Sequence, residues 1–62
     1  MERLISPQAL QPGDQLVTPD NHVWNVKFVD GPDRIGTFDV ALIDEQGNSK
    51  FEIVNNPVRI IM

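Results

Sequence analysis

His22 is the one imidazole in the chain, and it follows Asp20 by two residues in "TPDNH". That spacing could make a general base whose ring is oriented by a carboxylate, with the hydroxyl of Ser6, Thr18, Thr37 or Ser49 as its nucleophile. Such chemistry needs nucleophile, base and oxyanion site gathered in one pocket, and a chain of 62 residues has little room for a deep one. An exposed histidine at the start of a strand explains the same residues with fewer demands, so no catalytic residue is assigned.

The other chemistry-bearing groups read the same way. Asp30 and Asp33 in "DGPD" are the nearest thing to a paired carboxylate site, but the alternate oxygen ligands and closing glutamate of a calcium loop are missing. Asp and Gly at those positions are what tight turns require. "GPDRIG" lacks the Gly-Lys-Ser/Thr end of a phosphate loop. With no cysteine and one histidine, thiolate and His-rich zinc sites are excluded, so no metal and no cofactor are expected. Trp24 could be a stacking platform, yet it alternates with Val26 and Phe28 and reads as core.

Charge narrows the partners. Nine acidic residues against five basic ones leave a net charge of −4, and the segments 1–22 and 37–62 both lean acidic. No basic stripe is available to neutralise phosphates, so nucleic acid is a disfavoured partner. No apolar run approaches the ~20 residues that cross a membrane, and "MERLISPQ" is not a secretory leader. The expectation is a cytoplasmic protein, a small gene product complete from its own Met1, with no membrane association.

The elements that must carry these residues are strands. Turn signals fall at Pro7, Pro12-Gly13, Pro19-Asp20-Asn21, Gly31-Pro32, Gly36, Gly47-Asn48 and Asn56-Pro57, close to strand length apart. "SPQAL" predicts one helical turn, with Ser6 as its cap and Pro7 at its first position. Strands are expected at 15–18, 22–30, 37–44, 49–55 and 58–62, with a short addition at 2–5. Alternation assigns Trp24, Val26 and Phe28, then Phe38, Val40 and Leu42, then Phe51 and Ile53, then Val58, Ile60 and Met62 to the core face.

A hydrophobic register follows from a four-residue loop at 45–48. Leu42 then faces Phe51, and Val40 faces Ile53. A three-residue loop closed by Asp44 and Asn48 would set Leu42 against Lys50, and is expected to lose. By the same test Phe28 is set opposite Phe38, Val26 opposite Val40 and Trp24 opposite Leu42.

Five short strands with two apolar rows predict a curled sheet, a small closed or half-closed barrel forming one domain over residues 1–62. "LQPGDQLV", a long bent second strand, a hairpin and then "NNPVRII" resemble the Src-homology-3-type small barrels over residues 10–62. The resemblance implies an all-β, five-stranded SH3-like barrel with one short helical turn. The tyrosine-rich peptide groove and the basic loops of other members have no counterpart here.

The remaining anomaly is a second apolar row, Val17, Val23, Val29, Ile43, Val54 and Ile61, facing away from the expected core. The apolar end "VRIIM" either closes the barrel or pairs with another chain. The loop 30–36 projects Asp33, Arg34 and Ile35 between two glycines. The expected function is a non-enzymatic protein-interaction module that binds a protein partner or itself through Asp33, Arg34, Ile35, Ile43, Val54 and Ile61. Small acidic accessory proteins of bacteria and phages suit this size and charge. The alternative, a nucleic-acid-associated barrel of ribosomal or transcription-factor type, needs Lys27, Arg34, Lys50 and Arg59 to converge on one face.

Overall fold

The computed structural model describes residues 1–61. The expectation for Met62 lies outside the described residues. The described residues are all-β apart from one 3₁₀ turn at Pro7–Ala9, which places Pro7 at its start as the sequence required. Its strands are β1 (Glu2–Ile5), β2 (Gln15–Val17), β3 (Val23–Asp30), β4 (Phe38–Ile43), β5 (Ser49–Val54) and β6 (Val58–Ile61). They form one antiparallel sheet in the order β1-β6-β2-β3-β4-β5. The expected count of five is corrected to six, because β1 takes the free edge of β6. The sheet is not closed into a barrel: β1 and β5 are left as its two edges. No helix among the described residues is long and apolar enough to cross a membrane.

Three hairpin loops share one plan. In each, a first residue bonds its N–H to the carbonyl of the fifth and accepts the N–H of the fourth, and the fourth has positive φ: Thr18–His22 with Asn21 at 63°, Asp33–Thr37 with Gly36 at 80°, and Asp44–Asn48 with Gly47 at 87°. This is the three-residue connection in which a type I turn is followed by a left-handed residue. Asp33 and Asp44 reinforce it alike. The Oδ1 of Asp33 accepts the N–H of Ile35 and of Thr37, and the Oδ1 of Asp44 accepts the N–H of Gln46 and of Asn48.

That loop chemistry overturns the expected register. The β4–β5 hairpin closes over three residues, so Leu42 faces Lys50, Val40 faces Glu52 and Phe38 faces Val54. The one-step slip turns every β5 side chain over. Val54 becomes core, while Phe51 and Ile53 stand outside with 70% and 73% of their surface exposed. A bulge at Lys27 does the same to half of β3: Val26 faces Leu42, Phe28 faces Ala41 and Val29 faces Val40. Phe28 is therefore not opposite Phe38, nor Trp24 opposite Leu42; Phe28 turns outward and Val29 inward.

The core lies on one face of the sheet, the inner face, and comprises Leu10, Leu16, Val26, Phe38, Val40, Leu42, Val54 and Ile60. Ile5, Trp24, Val29 and Val58 line its rim. Leu42 and Val40 have no exposed surface at all. Leu10, carried by the segment after the 3₁₀ turn, supplies a lid that the sheet alone lacks.

Candidate protein-contact surface

The outer face of β3, β4 and β5 carries an apolar rung. Phe28, Ala41 and Phe51 are direct neighbours across the three strands. Ala41 is small enough for the flanking rings to meet over it, 6.2 Å apart and edge to face. The next rung is Asp30, Asp39 and Ile53, and the rung on the other side is Asn25, Ile43 and Ser49. An apolar strip thus runs to an open sheet edge with acidic residues beside it.

Exposing Phe51 and Ile53 carries a cost. Burial of such a side chain is worth about 1.5–3 kcal/mol, and the alternative register would have buried both. What holds them out is the Asp44 carboxylate. Besides the two backbone N–H groups, it accepts the Asn48 side-chain amide at 3.0 Å and meets His22 Nε2 at 3.0 Å. The Asn48 amide is the largest cause of its lowered pKa, burial opposing and the other donors assisting. On the inner face the slip places Lys50 and Glu52, which form an ion pair at 3.2 Å, with the ammonium 4.7 Å from the centre of the Trp24 ring.

His22 is oriented by Asp44, not by Asp20. Its ring tilts against Trp24 at 4.6 Å, and Asp20 instead contacts the His22 backbone N–H and the Thr18 hydroxyl. The concavity beside His22 measures about 290 Å³ and is open to solvent. No group of three or more metal-ligating side chains occurs among the described residues.

The residues singled out from sequence are dispersed. Arg34 and Ile35 stand at a loop tip, Ile35 with 83% of its surface exposed, but the Asp33 carboxylate is committed to its own loop. Val54 is buried in the core, which corrects its assignment as a contact residue. Ile43 and Ile61 are half-buried and share one rung, but Gln15 and Asn25 separate them, so they form no common patch. Of the basic residues, Lys50 lies on the inner face with Glu52, while Arg59 lies on the outer face and is clasped by Glu2 and Asn21. Sequence reasoning missed Phe28, Phe51 and Ile53. The signal that could have found the last two is Asp-x-x-Gly-Asn at 44–48, which repeats the Asp-x-x-Gly spacing of 33–36.

No family model, curated protein or solved structure matches this chain.

Proposed function

We propose that this protein is a non-enzymatic, cytoplasmic protein-interaction module that binds through the outer face of β3, β4 and β5. One observation carries the reading: Phe51 and Ile53 are held exposed beside Phe28 on an edge strand, although a one-residue slip would bury them. Places where a local rule is broken at a stability cost are where function is expected. Acidic Asp30 and Asp39 at the margin steer a partner, and the rings supply contact area. Support for an SH3-like reading comes from the bent eight-residue β3, the β4–β5 hairpin and the short β6. Src-homology-3-type barrels have a single helical turn leading into the last strand, whereas the turn here precedes β2.

The test is a photo-reactive residue placed at Ile53, with Gln8, exposed on the 3₁₀ turn, as the control position. Protein adducts that form at position 53 and are lost with Phe28→Ser support this surface. Equal labelling at both positions overturns it.

A further inference from the structure

We infer that β5 is a self-complementary edge, and that two copies of this chain pair along it as antiparallel strands with Phe51 on the two-fold axis. The inference rests on the interaction-module reading and names its partner as a second copy. Three features of β5 agree on it.

The first is backbone polarity. The Asp44 N–H bonds to the Asn48 carbonyl, so alternation aims the backbone groups of Lys50, Glu52 and Val54 at β4. Those of Ser49, Phe51 and Ile53 point to the open edge. With Phe51 on the axis, Ser49 meets Ile53 of the partner subunit and Phe51 meets Phe51 of the partner subunit. Every residue with edge-facing groups then has one facing it.

The second is charge. The same register puts Lys50 opposite Glu52 of the partner subunit, and Glu52 opposite the partner subunit's Lys50. These are the non-hydrogen-bonded positions, where opposed side chains come closest. Moving the register by two residues one way sets Glu52 against Glu52, and the other way sets Lys50 against Lys50. Like charges directly opposite destabilise a strand pair, so one register is selected.

The third is the apolar rung. Phe51 is 70% exposed and Phe28 48% exposed in the single chain. Pairing brings the two Phe51 rings together with a Phe28 ring behind each, and joins two sheets into one. Proline and bulges, two common guards of natural edges, are absent from β5 between Ser49 and Val54; its inward charges, Lys50 and Glu52, would guard the edge against most strands but complement each other in this one register. A six-residue edge buries less than the ~1,200 Å² of a standard interface, so the dimer is weak and concentration-dependent.

Sedimentation measured from about 10 μM to about 1 mM tests this directly. The wild-type chain is expected to shift from monomer to dimer across that range. Phe51→Glu, at an exposed site, should stay folded and lose at least about tenfold in association. Lys50→Glu and Glu52→Lys should each associate more weakly alone, and equal mixing should restore a mixed dimer, because unlike charges then face each other at both positions. Should Lys50→Glu fail to fold through its contact with Trp24, Ile53→Pro replaces it. That change removes an edge-facing N–H without touching a bond to β4, and should also weaken the dimer. A wild-type chain that remains monomeric throughout, or folded single-charge variants whose mixing restores nothing, overturns the proposal. A monomeric chain that still gives Phe28-dependent adducts at position 53 would sink the dimer and leave the interaction-module reading standing. A monomer with no such adducts would sink both.

Discussion

The sharpest test of the observed register is a pair of truncations on adjacent strands, Leu42→Ala and Phe51→Ala. Leu42 has no exposed surface, so its truncation should cost about 2–5 kcal/mol in lost transfer energy and cavity. Phe51 is 70% exposed. Of a ~200 Å² side chain, roughly 60 Å² is covered, worth ~1.5 kcal/mol at ~25 cal/mol per Å². Domains of this length are stable by only ~3–9 kcal/mol. Leu42→Ala should therefore remove much of the stability, while Phe51→Ala leaves a folded domain. Urea denaturation followed by Trp24 fluorescence, at a concentration well below that of pairing, measures both. The hydrophobic register, with Phe51 inward, requires Phe51→Ala to cost about 3–5 kcal/mol. If Phe51→Ala proves as damaging as Leu42→Ala, the β4–β5 hairpin closes over four residues and the apolar strip does not exist.

Three further outcomes follow from the loops and the core. Val54→Asp should unfold the chain, since it places a carboxylate among Phe38, Val40 and Ile60 in the apolar interior; a cooperative melt near the wild-type Tm would show Val54 to face solvent. Gly31→Ala should cost about 1–3 kcal/mol, because its φ is 134° and a Cβ there would sit 2.9 Å from the Thr37 carbonyl oxygen; an unchanged denaturation midpoint would refute that crowding. Glu2, Asp20 and Asp44 all have pKa values lowered by their donors, chiefly Arg59, Thr18 and Asn48 respectively. Their stabilisation is full above the unfolded carboxyl pKa of about 4 and is lost as pH falls through the lower folded values. Urea midpoints from neutral pH downward should show an acid-side decline that Asp44→Ala makes shallower; an identical decline in that variant would remove Asp44 from the account.

Much of the fold was legible because it depended on two-residue alternation and turn residues. The strand positions, the 3₁₀ turn at Pro7 and the inward rows Val26, Phe38–Val40–Leu42 and Ile60 all follow from that. The faces of β5 and of the second half of β3 did not. Hydrophobic pairing favoured Leu42 against Phe51, but the Asp44 carboxylate with Gly47 at positive φ binds a three-residue loop strongly enough to outweigh it. The bulge at Lys27 left no mark in a run that alternates cleanly as written. Both misreadings hid the same thing. Residues that look like core in the string, Phe28 and Phe51, are the ones the structure turns to solvent, while Val54, which looked free, is covered.

The recurrence of one loop plan at Thr18–His22, Asp33–Thr37 and Asp44–Asn48 separates frame from decoration. In the second and third loops the ends and the left-handed fourth residue hold the connection closed, so the side chains of Arg34-Ile35 and Glu45-Gln46 are exposed to solvent, whereas in the first Asp20 is tied to Thr18 and His22. Lineages carrying this fold are therefore free to rewrite those dipeptides rapidly without disturbing strand alignment. Libraries randomised there should yield folded members far more often than libraries randomised one residue to either side.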